Sequence, residues 1–249
     1  MLSVTIIAKN EEANIRQCLE SIKWADEIIV LDSGSTDNTV AIAKEYTDRV
    51  YITDWQGYAI QKQRALDRVT GDWVLNIDAD ESISEPLKES IQKAITNPAA
   101  DGYRIPILLY FYGKERPRSS CTTKHLRLYR PKDACYSTAL VHEEVLLPPT
   151  AKVFPLNHPI HHHSFQDLSH ALYKMNLYTS YTATIRRKEH RSTSMTKSLF
   201  SAGWMFFRYY IIQGGCLEGR DGLLLAILKA QSGFYRHIKM IYPDKDPHA

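Results

Sequence analysis

Two hydrophobic periods alternate through the first hundred residues, and that alternation leaves few folds open. Leu2–Ala8 is a nearly continuous apolar run, the pattern of a strand buried on both faces of a parallel sheet. Asn10 then offers a helix N-cap, and Glu11 and Glu12 suit the positive end of a helix dipole. Ile15, Cys18, Leu19 and Ile22 follow at i, i+3, i+4 and i+7, on one face of that helix. Glu27–Leu31 is a second strand, ended by the turn-and-cap cluster Asp32-Ser33-Gly34-Ser35-Thr36-Asp37 that opens another helix. Arg49–Ile52 is a short third strand, and Ala59–Val69 a helix stopped by Gly71. Trp73–Ile77 is a fourth strand, and Pro86 begins a helix carrying Leu87, Ile91 and Ile95. Strand–helix alternation with short turns predicts an α/β fold with a mainly parallel sheet flanked by helices.

Beyond Gly102 the pattern loosens. Tyr103–Tyr112 and Leu126–Tyr129 read as strands, Ala151–Ile160 as an irregular, proline-bearing segment, and the chain turns helical and aromatic from Leu168. Ligands of parallel α/β sheets bind beyond the carboxyl ends of the strands. The polar clusters Lys9-Asn10-Glu11, Asp32-Ser33-Gly34 and Asp78-Ala79-Asp80 all fall at such ends.

Asp78-Ala79-Asp80-Glu81 follows an apolar strand, and two carboxylates two residues apart can point the same way. Such crowding is costly unless a proton or cation lies between them, and hard oxygen ligands suit Mg²⁺ or Mn²⁺ shared with substrate phosphates. A bare D-x-D is also a common solvated turn; its place at a strand end, opposite the Asp32 strand end, favours the metal reading. Asp32 offers an acceptor to a base N–H or a ribose hydroxyl, although its cluster is equally good turn chemistry. His142-Glu143-Glu144 lies between Leu140-Val141 and Val145-Leu146, where a carboxylate of raised pKa could act as a general base. The segment reads equally well as a charged turn. His158, His161, His162 and His163 lack zinc-site spacing, but one of them as a further ligand beside Asp80 is reasonable.

Together, Ser3-Val4-Thr5-Ile6-Ile7-Ala8-Lys9-Asn10-Glu11-Glu12, the Asp32–Asp37 cluster and Trp73-Val74-Leu75-Asn76-Ile77-Asp78-Ala79-Asp80-Glu81 resemble family 2 inverting glycosyltransferases of the GT-A fold. Val141-His142-Glu143, His162-His163-Ser164-Phe165, Lys174-Met175-Asn176-Leu177-Tyr178 and the Gly215–Gly222 segment look like the lipopolysaccharide inner-core β-1,4-glucosyltransferase subfamily. The likeness covers nearly the whole chain, most densely up to about Glu81.

The resemblance implies that Ala8, Asn10, Glu11 and Asp32 line a nucleoside pocket, that Lys62 and Arg64 approach the donor, and that Lys62 is the diphosphate contact. It also implies Asp78 near the ribose with Ala79 beside it, and Asp80 and His162 on the metal. Glu143, with Glu144 adjacent, would be the base that deprotonates an acceptor hydroxyl. A UDP-linked donor, with UDP-glucose as the first expectation, and a glycolipid or oligosaccharide acceptor follow. The implied layout is a GT-A catalytic domain over residues 1–164, with a nucleotide-sugar half to about 100 and an acceptor half over 101–164. A helical, basic and aromatic C-terminal extension would cover 165–249.

Charge agrees with that division. The net formal charge is +3, yet residues 164–249 hold twelve Lys/Arg against six Asp/Glu. So small an excess gives no reason to expect nucleic acid. A basic amphipathic segment with interfacial aromatics, centred on Leu199–Ile212, suits an anionic membrane surface. At 14 residues and with Arg208 inside it, that stretch is too short to span a bilayer, which takes roughly 20. Four scattered cysteines without a C-x-x-C pair, and a short first strand without a basic leader, favour the cytoplasm, peripherally at the inner membrane's cytoplasmic face.

Other classes fit less well. A nucleotidyltransferase would carry a glycine-rich loop after the first strand, and a dehydrogenase G-x-G-x-x-G, and neither is present. An aspartate-dependent phosphatase on Asp78 and a non-catalytic nucleotide-sugar-binding protein are the remaining alternatives.

Overall fold

A computed structural model describes residues 1–111, 114–115, 124–137, 144–165 and 168–243 of the 249-residue chain. The chain divides into two compact units, Met1–Leu109 with Ser120–Ser164, and Tyr110–Ser119 with Phe165–Ala249.

The first unit is built on β1 (Leu2–Ala8), β2 (Glu27–Asp32), β3 (Val50–Ile52) and β4 (Trp73–Asp78), parallel in the order β3-β2-β1-β4. Every residue of β1 and β2 is buried, as the uninterrupted apolar runs predict. One face of β1 contributes Leu2, Val4 and Ile6 to a core with Leu75, Ile77 and the α1 (Glu12–Ile22) residues Ile15, Cys18, Leu19 and Ile22. On the other face Ile7 packs with Leu31 and with Ala65 of α3 (Tyr58–Leu66). The short α2 (Thr39–Lys44) and α4 (Glu85–Thr96) complete the helical cover, with Leu87 and Ile91 fully buried.

The sheet continues past β4 with β8 (Lys124–Tyr129) and β6 (Gly102–Phe111), antiparallel to each other, and β8 antiparallel to β4. β7 (Lys114–Glu115) pairs with the end of β6, and β11 (Val153–Pro155) runs parallel to its start. β12 (Ile160–Phe165) and β5 (Glu81–Ile83) close the order as an antiparallel pair, and β9 (Cys135–Tyr136) pairs with β10 (Val145–Leu146) apart from it. This parallel half, extended by antiparallel strands and flanked by helices, is the predicted GT-A class of α/β fold.

Three local expectations differ. Asn10 does not cap α1; it sits at φ 55°, in the left-handed region that asparagine tolerates, and its side chain reaches across to Thr36. Gly71 does not stop α3, which ends at Leu66; a Cβ there would lie 2.6 Å from Ser3 Oγ and 2.8 Å from the Met1 carbonyl, so glycine lets the chain pass close to β1. Strands β5, β11 and β12 lie in segments without strand alternation.

In the second unit, α7 (Gly219–Ile241) packs against both α5 (Leu168–Lys188) and α6 (Met195–Phe207), with Ala171, Leu225 and Leu228 buried between α5 and α7. A π turn over Arg208–Ile212 and a 3-10 turn over Gly215–Glu218 link α6 to α7. Gly215 and Gly222 bring backbone against backbone there, leaving no room for a Cβ on Gly222. Among the described residues no helix is long and apolar enough to cross a membrane.

Leu75 is fully buried in β4 at the centre of the sheet, whereas Leu217 is 70% exposed. Leu75→Ala is expected to cost roughly 2–5 kcal/mol, lowering the urea midpoint of the sheet unit, and Leu217→Ala to leave stability nearly unchanged. Equal effects in urea titrations of the two variants would contradict this placement of the core.

Candidate active site

Strand β4 delivers Asp78 to the carboxyl end of the sheet, and the tight turn Ala79-Asp80 leads directly into β5. β8 runs antiparallel to β4 with Leu75 opposite Leu128, which brings Arg127 beside Asn76. Arg127 is buried and donates to Asn76 Oδ1 at 3.1 Å, Asp78 Oδ2 at 3.0 Å and Glu81 Oε1 at 2.7 Å. The other Glu81 oxygen accepts from the Asp78 backbone N–H at 2.8 Å. From α3, Lys62 places its Nζ 3.1 Å from Asp78 Oδ1. Burial opposes ionisation of Asp78, but Lys62 and Arg127 outweigh it and hold its carboxyl well below the usual carboxylate range. Burial and the adjacent Asp78 charge push the Glu81 carboxyl up, against the pull of Arg127.

Asp80 meets a different partner. Pairing of β12 with β5 sets His162 opposite Glu81, and the ladder extends one step as the His163 N–H donates to the Asp80 carbonyl at 2.8 Å. The His162 side chain then lies with Nε2 3.2 Å from Asp80 Oδ2. The neighbouring histidines are otherwise engaged: His163 Nε2 lies 3.1 Å from Gln17 Nε2 and 3.2 Å from Ser82 Oγ, and His158 Nδ1 lies 3.0 Å from Ser90 Oγ. Burial alone would lower the His162 pKa, but Asp80, then Glu81 and Asp78, raise it overall. Asp80 and His162 are a hard oxygen and an imidazole nitrogen converging on one spot, a donor pair that fits a divalent cation. Among the described residues no third His, Cys, Asp or Glu joins them.

The loops after β1 and β2 form the adjoining wall. Ala8, the last residue of β1, accepts from the Ser33 N–H at 2.9 Å. The Asn10 N–H donates to Ser35 Oγ at 2.8 Å, and Asn10 Oδ1 accepts from the Thr36 N–H at 2.8 Å. The Glu11 N–H donates to Thr39 Oγ1 at 2.8 Å. Asp32 is fully buried beneath this loop, and its Oδ1 accepts from the N–H groups of Gly34 and Ser35, a local Asx turn. Gln61, also fully buried, donates to Ser33 Oγ at 2.9 Å and the Asp54 carbonyl at 2.8 Å, tying α3 to the ends of β2 and β3.

The structure therefore brings Lys62 to Asp78 and His162 to Asp80, and gathers Ala8, Asn10, Glu11 and Asp32 at one strand-end cluster. Arg64 stands apart, bonded to Asp54 Oδ1 at 3.0 Å. Glu144 is exposed, its backbone paired with Ser137, and Glu143 lies outside the described residues. Arg127 and Gln61 carry no role in the sequence reading. An arginine inside the strand-forming run His125-Leu126-Arg127-Leu128-Tyr129 was the available signal for the first, and Gln61 offers none.

The profile of the family described as Glycosyl transferase family 2 matches residues 3–142, which span every element of the acidic strand end except β12. The chain belongs to glycosyl transferase family 2. It is 33% identical to an uncharacterised glycosyltransferase of Rickettsia prowazekii, over 96% of this chain and 86% of that protein. It is 30% identical to the lipopolysaccharide core biosynthesis glycosyltransferase LpsC of Rhizobium meliloti, over 98% of this chain and 96% of the relative. Among solved structures, TarS of S. aureus in complex with UDP-GlcNAc aligns at 17% identity and a TM-score of 0.49, over 96% of this chain and 81% of that one. This family 2 chain is a glycosyltransferase.

Because the folded pKa of His162 is raised, its charged pairing with Asp80 stabilises the fold fully below the unfolded histidine pKa of about 6.5 and is lost as pH rises through the folded value. With chelator present, the urea midpoint of wild type should exceed that of His162→Gln at pH 6, and the gap should shrink towards pH 9. A gap that widens with pH would reverse the assigned sign.

Proposed function

We propose that this glycosyltransferase is inverting and metal-dependent, moving a hexose, with glucose from UDP-glucose the first choice, onto a sugar hydroxyl of a lipopolysaccharide core or related glycolipid. The observation that carries the reading is the division at the β4–β5 turn, where Asp78 is held by Lys62 and Arg127 while the Asp80 carboxylate meets the His162 imidazole. The lipopolysaccharide core role named for the LpsC relative supports the acceptor class, and the likeness to it runs nearly end to end.

In this reading Ala8, Asn10 and Glu11 line the nucleoside pocket, with Asp32 setting the loop they face. Asp78, kept ionised by Lys62 and Arg127, accepts from a ribose hydroxyl, and Ala79 leaves room beside it. Lys62, and more remotely Arg64, offer positive charge towards the diphosphate. Asp80 and His162 hold a Mg²⁺ or Mn²⁺ ion. When bound, that ion stabilises the negative charge that builds on the departing nucleoside diphosphate, a contribution of several kcal/mol. Glu143, with Glu144 as the neighbouring candidate, takes the proton of the acceptor hydroxyl as its oxygen attacks the anomeric carbon from the face opposite the diphosphate. One displacement converts an α-linked donor into a β-linked product, with no covalent enzyme intermediate.

The second unit supports acceptor delivery at an anionic membrane surface. Phe200, Trp204, Phe207 and Ile211 recur at helical spacing and are 78%, 49%, 47% and 50% exposed, with Arg208 beside them. Such a face suits the headgroup boundary of a bilayer. Flotation with vesicles containing anionic lipid should retain the wild-type protein and lose the Phe200→Ser/Trp204→Ser double variant; absence of the wild type from the vesicle fraction would remove this part of the proposal.

Calorimetry against a panel of nucleotide sugars tests the donor site. One UDP-sugar should bind with Mn²⁺ or Mg²⁺ and bind at least tenfold more weakly with chelator or in Asp80→Ala. Turnover by Glu143→Gln should fall by about 10²–10⁴-fold, with donor affinity retained. If Glu144→Gln falls instead, the base is reassigned by one position. Donor binding with no turnover under any acceptor, unchanged by either glutamate substitution, would favour a binding protein.

A further inference from the structure

The helical unit contains a polar cavity of its own. It measures about 310 Å³ and is lined by Arg186, Arg191, Ser192, Lys197, His237 and Met240. The end of α5, the 189–194 connection, the first turn of α6 and the last third of α7 form its walls. All of these residues belong to the second unit.

Its charge is one-sided. Arg186, Arg191 and Lys197 face the space, and Arg236 stands close enough to act on Arg186 and His237. Among the described residues the carboxylate of Glu189 acts on Arg186 and pairs with Arg191 Nε at 2.7 Å. Burial first, then Arg236 and Arg191, make the Arg186 guanidinium less comfortable as a cation than it is in water. Like charges gathered this way repel, and a bound anion relieves the repulsion.

His237 reports the same potential through its hydrogen bonds. Its Nε2 lies 3.3 Å from Arg186 Nη1 and its Nδ1 2.9 Å from Thr193 Oγ1. Arginine only donates, so Nε2 accepts and the Nδ1–H donates to Thr193. The imidazole is therefore neutral, and it fixes the plane of the Arg186 fork facing the cavity. Burial, then Arg186, Arg236 and Lys197, hold the His237 pKa down.

The first turn of α6 adds a further donor surface. Ser194 caps this 13-residue helix, its Oγ accepting from the Lys197 N–H at 3.2 Å, and Lys197 itself lines the cavity. A helix amino terminus carries partial positive charge, and guanidinium forks and an ammonium converging from separate elements match the several oxygens of a phosphate. The volume exceeds one water, about 30 Å³, roughly tenfold, which leaves space for a phosphate with a small attached group.

We propose that this cavity between α5, α6 and α7 binds a phosphate monoester or diester group, carried by a soluble ester or by an anionic lipid headgroup. The inference does not depend on the donor, metal or base assigned above.

The test uses the full chain in phosphate-free buffer, with inorganic phosphate and glycerol 3-phosphate as soluble probes in calorimetry. Phosphatidylcholine vesicles with and without phosphatidic acid serve in co-sedimentation. Lys197 is exposed, so Lys197→Gln removes charge with little risk to folding; Arg186→Gln is the second variant. Arg220→Gln is the charge control, about 25 Å along α7 from His237 at 1.5 Å per residue. The expected result is binding of a soluble probe or of phosphatidic acid vesicles, weakened at least tenfold by Lys197→Gln and less than twofold by Arg220→Gln. Binding of the soluble probes assigns a soluble ester, and binding of the vesicles alone assigns a headgroup. No binding of either probe, or binding weakened equally by Lys197→Gln and Arg220→Gln, overturns the proposal.

Discussion

Arg127 is the charge around which the acidic strand end is organised. It lies buried among Asn76, Asp78 and Glu81, and its guanidinium donates to all three side chains. Three carboxylates within four residues would otherwise drive one another to take up protons. With Arg127 and Lys62 on Asp78 and Arg127 on Glu81, two of the three are already neutralised by the protein itself. The Asp80 carboxylate meets His162. Removing one member of a buried pair costs more than the pair contributes, because the partner stays behind without compensation. The turn from β4 to β5 thus depends on a side chain fifty residues away in sequence, brought there by the antiparallel register of β8.

That dependence explains what the sequence could and could not reveal. Strands β1, β2 and β4 are legible because they are buried on both faces, so burial alone dictates their composition. Helices α1 and α4 are legible because one face of each meets the core. The β5–β12 pair is not legible, since Glu81-Ser82-Ile83 and Ile160-His161-His162-His163 show no alternation; each is a strand because the other is there. The choice among three consecutive histidines is a question of register, and only the pairing of His162 with Glu81 answers it. Arg127 shows the same limit: an arginine in a strand reads as a surface residue until its partners are known. Asp32 was legible as a strand-end acceptor and as a turn former alike, and in the structure its Oδ1 accepts from the turn's own N–H groups and its Oδ2 from the Ser35 hydroxyl.

The two units differ in how their surfaces use charge. In the first, cations are matched to carboxylates within the site. In the second, three cationic side chains line one cavity with Glu189 paired to one of them, while a row of aromatic and aliphatic side chains lies exposed on α6 and the turn after it. Coulomb interactions reach about 8 Å at physiological ionic strength, so neither arrangement follows from net charge, which is nearly balanced over the chain.

The lattice of side-chain-to-backbone hydrogen bonds between the loops after β1 and β2 has a consequence for how a ligand meets them. Asn10 accepts a left-handed backbone in order to join that lattice, and Ser35, Thr36, Asp37, Asn38 and Thr39 answer residues 10–12 from the other side. Immobilising a mobile side chain during association costs about 0.5–1.5 kcal/mol. Here several of those groups are still before any encounter, so their loss of freedom belongs to folding rather than to recognition. A molecule settling on this wall would meet a surface already shaped, and its residence would be set by the contacts it makes rather than by the order it imposes.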